Sequence, residues 1–200
     1  MDYLFIDCSC GIIIYDGSLF FEERDIKNKK LLCSTIINYL NNNNLKKELR
    51  IVVGPGSFSG IRSLVSLVLG IAMGRKISFY GVSFLEAYSD LLEQGTMLFL
   101  FSDFRYPYVI YKQGESFVKT IFTKNFVKND CEIPDFIKKI MILVHPNSRF
   151  KNNLNEENII NLMGKKNLKI EYIDYDINKF LNIKKKPNVL EPLFIDIMDI

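Results

Sequence analysis

Val52-Val53-Gly54-Pro55-Gly56-Ser57-Phe58-Ser59-Gly60-Ile61-Arg62 constrains this chain more than any other stretch, because it joins an apolar strand end to an apolar helix through a bend that few backbones tolerate. Gly54, Gly56 and Gly60 supply φ angles that side chains resist, and Pro55 fixes one φ outright. From 61 to 74 the chain is apolar nearly all round, a pattern that on a helix predicts burial on several sides. Arg62, Ser66, Gly70 and Gly74 follow one another at i, i+4 spacing and line one stripe of that helix, along which a second backbone can come close.

The turn fails the tests for the familiar phosphate binders. A P-loop needs a lysine after its last glycine to reach the phosphates, and Ile61 follows Gly60. The dinucleotide fingerprint needs GxGxxG after the first strand; here Gly60 comes one residue too late and the turn does not follow the first strand. A nucleophile elbow centres a serine between two glycines, and Phe58 occupies the centre between Gly56 and Gly60. Two readings remain: a chain reversal whose serines cap the next helix, or a turn that presents Arg62 to an anion or a partner carboxylate, since a cation fits poorly at a helix N-terminus.

Either side of this turn, the periodicity predicts an alternating α/β order. Apolar runs at 3–8, 12–15 and 19–22 read as strands, the last two joined by the hairpin pair Asp16-Gly17. Leu31, Leu32, Ile36, Ile37 and Leu40 repeat at helical spacing until the asparagines of 41–44 stop them, and a strand follows at 50–53. After the glycine turn and its helix come a strand at 77–82 and a helix at 84–93, opened by the capping-box pair Ser83 and Glu86. Strands at 97–102, 108–112 and 117–122, a helical segment at 135–140, a strand at 141–144, a helix from Asn155 to Met163, a strand at 170–173 and a short helix near Phe180 complete the order. Two rounds of three strands, helix, strand and helix predict two similarly built α/β lobes, 1–95 and 96–200, dividing near Gly95.

At 200 residues, 48% hydrophobic and 24% charged, the chain has enough apolar material for such cores. A formal charge of +3 falls short of the basic face that would argue for direct nucleic-acid binding. Lys184-Lys185-Lys186 reads as a solvated loop before it reads as a phosphate contact, and Tyr106 and Tyr108 as strand residues before a base-stacking platform. The cysteines Cys8, Cys10, Cys33 and Cys131 lack CxxC spacing and His145 is the single histidine, so no metal site is expected. The opening Met1-Asp2-Tyr3 carries no signal-peptide pattern and no apolar stretch is long enough to span a bilayer, so the expected location is the cytoplasm, with no membrane partner.

Gly54-Pro55-Gly56-Ser57-Phe58-Ser59-Gly60-Ile61-Arg62 resembles the GPGSFTGxR signature of the bacterial TsaB (YeaZ) family. Leu4-Phe5-Ile6-Asp7-Cys8-Ser9 is similar to that family's opening LAIDTS strand, Ser102-Asp103-Phe104-Arg105 to its DAR segment, and Glu191-Pro192-Leu193-Phe194 to its terminal EPxY. The resemblance implies a two-lobed actin-like ATPase (ASKHA) fold, each lobe a mixed β-sheet with flanking helices. It also implies a non-catalytic role in making threonylcarbamoyladenosine beside the anticodon of tRNA. The implied partners are a catalytic TsaD-type paralogue and a TsaE-type ATPase, with tRNA engaged indirectly and a homodimer formed when the protein is alone. No cofactor of its own is implied, although a nucleotide at the complex interface is compatible with the family. The implied interface comprises Ser57, Phe58, Ser59, Ile61, Arg62, Ser66, Gly70 and Gly74.

The departures bear on chemistry. Ser59 replaces a threonine, the first helix lacks the family's histidine, and Phe194 and Asp196 stand where the family has tyrosine and arginine. The catalytic paralogue's HxxxH metal motif has no counterpart, since His145 is alone. Asp7, Asp103 and Arg105 are the candidate cleft residues. Asp7 is either a remnant of the superfamily's phosphate-loop aspartate or a strand-end residue serving turn amides, and Asp103 and Arg105 either pair across the cleft or form a surface ion pair. No residue is expected to be catalytic. Two function classes follow: a scaffold and activator of the transferase, or a self-contained ASKHA-type small-molecule kinase or hydrolase, including a glycoprotease-like enzyme.

Overall fold

The Asp16-Gly17 hairpin forms as its sequence dictates. In a computed structural model that describes residues 3–9, 11–17, 20–23, 29–42, 48–55, 58–101, 108–121, 134–144 and 168–184, strands β2 (Ile12–Tyr15) and β3 (Phe20–Glu23) pair antiparallel, with Tyr15 opposite Phe20. Gly17 takes φ 92°, which a side chain would oppose. β2 pairs antiparallel with β1 (Tyr3–Asp7), which runs parallel to β4 (Glu48–Val52), which in turn runs parallel to β5 (Ser78–Val82). The first sheet therefore has the order β3-β2-β1-β4-β5.

The second sheet repeats the plan. β6 (Thr96–Phe101), β7 (Tyr108–Gln113) and β8 (Ser116–Ile121) are an antiparallel meander, and β9 (Lys139–Val144) and β10 (Lys169–Asp174) add in parallel on the other side of β6. Its order, β10-β9-β6-β7-β8, matches the first sheet strand for strand. This duplication bears out the expected α/β fold of two similarly built mixed sheets with flanking helices. Among the described residues, 3–87 with 177–184 form one compact unit, and 88–176 the other. The chain thus passes between units after Ala87 rather than near Gly95, and a late segment returns to the first.

Alternation assigns the faces of the first sheet. Leu4, Ile6, Ile12, Ile14, Leu49 and Ile51 point to one face and pack with Ile36 and Leu40 of α1 (Lys29–Asn42) and Leu64, Val68 and Ala72 of α2 (Phe58–Arg75). Burying each large aliphatic side chain is worth about 1.5–3 kcal/mol. The opposite face carries Phe5, which meets Phe180 of α4 (Ile177–Leu181). In the second unit, Met97, Phe99, Val109, Ile137, Ile140 and Ile142 form the corresponding core cluster.

Three expectations are corrected. α2 is buried along one face and open on the other, not enclosed on several sides: Ile61, Leu64, Val68 and Ala72 are buried while Arg62, Ser66, Leu69, Gly70, Met73 and Gly74 are exposed. The helix expected at 84–93 ends early, as α3 (Phe84–Tyr88) followed by a 3₁₀ turn at Ser89–Leu91. Residues 135–140 do not form a helix. Ile137 N–H bonds the Pro134 carbonyl in a turn, and the amides of Lys138 and Lys139 both go to the Gly95 carbonyl, at 2.8 and 3.1 Å, which starts β9 two residues before its expected beginning. The helix expected at 155–163 lies outside the described residues.

The end of α2 carries a local cost. Lys76 adopts φ 54°, a left-handed conformation that favours glycine, while Ile77 N–H caps the helix by bonding the Ala72 carbonyl at 3.2 Å. Lys76→Gly is expected to stabilise the protein by about 0.5–1 kcal/mol, seen as a higher urea midpoint at unchanged slope. A lower midpoint would show that the lysine side chain contributes more than its backbone costs.

Candidate functional site

The glycine turn is built into the first sheet. Val53 N–H bonds the Val82 carbonyl at 3.0 Å and Phe84 N–H bonds the Gly54 carbonyl at 2.9 Å, so the turn is stitched to β5 and to the start of α3. Gly54 has φ 121°, the Gly54–Pro55 peptide is cis, and Pro55 is buried. The partner end of this stitch is itself fixed: the Glu86 carboxylate accepts from Ser83 N–H and Ser83 Oγ–H, both at 2.8 Å, and Glu86 N–H returns to Ser83 Oγ at 3.2 Å. That is the capping box expected from Ser83 and Glu86.

Gly56 and Ser57 lie outside the described residues. Phe58, Ser59 and Gly60 form the first turn of α2, described in their backbone only. Arg62 is the fifth residue of α2 and exposed, beyond the turn in which the helix dipole acts strongly, which removes the expected conflict between its charge and the helix start. Ile61 is corrected: it is 1% exposed and belongs to the interior, so it is not part of an accessible interface.

Arg62, Ser66, Gly70 and Gly74 share an open stripe, and the structure adds two residues that the search for small and polar side chains missed. Leu69 and Met73 occupy the same exposed face, Met73 at 80% exposure. Their i+7 and i+11 spacing from Arg62 is the signal that identifies them. A Cβ placed on Gly70 or Gly74 would meet nothing within 4 Å. Neither glycine is therefore required by packing among the described residues, although each costs about 1 kcal/mol of helix propensity relative to alanine.

Of the candidate cleft residues, Asp7 is fully buried and its Oδ1 accepts from Ser9 N–H at 2.7 Å, the turn-serving role open to a strand-end aspartate. Ser9 Oγ is also buried and has no hydrogen-bond partner among the described residues. Asp103 and Arg105 lie outside them, as do His145, Cys10 and Cys131. Burial pushes the Cys8 thiol well above its ordinary pKa, reinforced by the Asp7 charge and then by Cys33, so at neutral pH it is a protonated core thiol rather than a nucleophile. Among the described residues no three His, Cys, Asp or Glu side chains gather in a way that could hold a metal ion, and no helix is long and apolar enough to cross a membrane.

No protein-family model and no curated protein matches the chain. Among solved structures it is similar to YeaZ from Pseudomonas aeruginosa, with 12% sequence identity and a TM-score of 0.48 over 85% of this chain and 83% of that one. It is also similar to an uncharacterized protein described as resembling peptidase YEAZ from Pseudomonas aeruginosa, with 13% identity and a TM-score of 0.47 over the same shares.

Proposed function

We propose that this chain is a non-catalytic, TsaB-type subunit of a cytoplasmic machine that transfers threonylcarbamoyl to the adenosine beside the anticodon of tRNA. It acts as scaffold and activator for a TsaD-type catalytic paralogue, with a TsaE-type ATPase, and meets tRNA through the complex. Alone, it pairs with a second copy through the same face. The observation that carries this reading is the open face of α2, directly after the Gly54-to-Arg62 signature: Gly70 and Gly74 have free space at their Cβ positions, beside exposed Leu69 and Met73. Such a surface lets a partner helix approach to about 8–10 Å between axes.

The test is reconstitution. With tRNA and all other components present, omitting this chain is expected to abolish modification of the adenosine. Full modification without it would remove the proposal.

The self-contained kinase or hydrolase retains one supporting observation, the buried Ser9 Oγ beside Asp7 at the end of β1. Steady ATP turnover by the purified chain alone would decide for that reading and against the scaffold.

A further inference from the structure

The first unit is completed by residues from late in the chain. Phe180 of α4 is fully buried, with its ring 5.6 Å from that of Phe5 and 5.2 Å, edge-on, from that of Phe84. Such aromatic pairs add about 0.5–1.5 kcal/mol beyond the area they bury. A helix as short as α4 has no stability of its own, so it exists because these contacts and its end are held.

Arg50 of β4 holds that end. Its Nη1 donates to the carbonyl of Leu181, the last residue of α4, and, at 3.5 Å, to that of Ile183, two residues beyond it. Its Nε pairs with Glu48, and its guanidinium lies 5.4 Å from the centre of the Tyr80 ring. Glu48 fixes the fork and Tyr80 supports it, while the positive charge meets the negative end of the helix. On the other side of the contact, Phe180 packs on Phe84, the residue whose N–H bonds the Gly54 carbonyl. The C-terminal segment is thus one side chain away from the hydrogen bond that closes the signature turn.

We propose that α4 is a releasable strap, clasped by Arg50, whose seating fixes the Gly54 turn through Phe180 and Phe84. The strap has two states. Seated, it covers Phe5 and gives Phe84 its edge-on neighbour; released, it withdraws Phe180, and the Phe84-to-Gly54 hydrogen bond opens more often. Arg50 is a positioning residue in this device, and the device is independent of what docks on α2.

Native-state amide exchange followed by NMR on the full chain tests it. Arg50→Ala is expected to speed exchange of the Asn182 amide, which bonds the Asn178 carbonyl, by about tenfold or more, with a parallel rise at Phe84. Amides of β9 in the second unit should keep their wild-type rates. Arg50→Lys should fall between, because lysine supplies the charge without the fork. Unchanged exchange at Asn182 in both variants removes the clasp. Fast exchange at Asn182 with wild-type exchange at Phe84 removes the coupling, and a uniform rise through β9 would mean that Arg50 supports overall stability instead.

Discussion

Gly70→Leu is expected to move two measurements in opposite directions: the isolated protein becomes more stable while its association weakens. An exposed glycine within α2 costs about 0.8–1 kcal/mol relative to a good helix former, and nothing within 4 Å would oppose a side chain there. Denaturation of the monomer should therefore shift to higher urea. At a helix–helix contact, the same side chain must push the partner outward, and overpacking of this kind costs about 1–3 kcal/mol, or roughly 5- to 150-fold in affinity. Light scattering on the protein alone, and titration with the TsaD-type partner, read the second effect. Unchanged association would place the interface elsewhere, and a destabilised monomer would mean that this face is covered within the chain itself.

The second large effect is expected at Gly95. It takes φ 83°, and an added Cβ would stand 3.1 Å from the Phe136 carbonyl oxygen, a backbone atom with little room to give. Its own carbonyl accepts the amides of Lys138 and Lys139, so any shift is passed to the pairing of β9 with β6. Gly95→Ala should lower stability by about 2–3 kcal/mol, combining left-handed strain with the clash. Gly114→Ala is the internal comparison. It has a similar sign of φ, 62°, but open space around the Cβ, so it should cost only about 1 kcal/mol. Equal losses in urea titrations of the two variants would show that the Phe136 contact relaxes without cost.

The parts of this fold that were legible in the sequence are those whose causes are local. Asp16-Gly17 specifies a hairpin by itself, and Ser83 with Glu86 specifies a helix start within four residues, so both could be read directly. The glycine turn was legible as a turn for the same reason. What one sequence does not contain is the direction in which a helix faces. The run from 61 to 74 looks enclosed because its outward positions include Leu69 and Met73, and only packing against the first sheet separates those from inward Leu64 and Val68. Ile61, which the resemblance implies for the interface, is turned inward by the same packing. At 135–140, Ile137 and Ile140 have helical spacing, yet the Gly95 carbonyl captures the amides that a helix would have used. Arg50 is the extreme case: its strand was expected, but its carbonyl partner at Leu181 lies 131 residues away.

The return of α4 to the first unit has a consequence for how this protein is made. Ribosomes release a chain from its N-terminus, so β1 to β5, α1 and α2 emerge long before Phe180 exists. At about 5–20 residues per second, the face bearing Phe5 and Phe84 waits roughly 5 to 20 s for the ring that covers it. During that interval the nascent first unit displays an uncovered aromatic surface, which makes it a natural client for a chaperone that binds apolar segments.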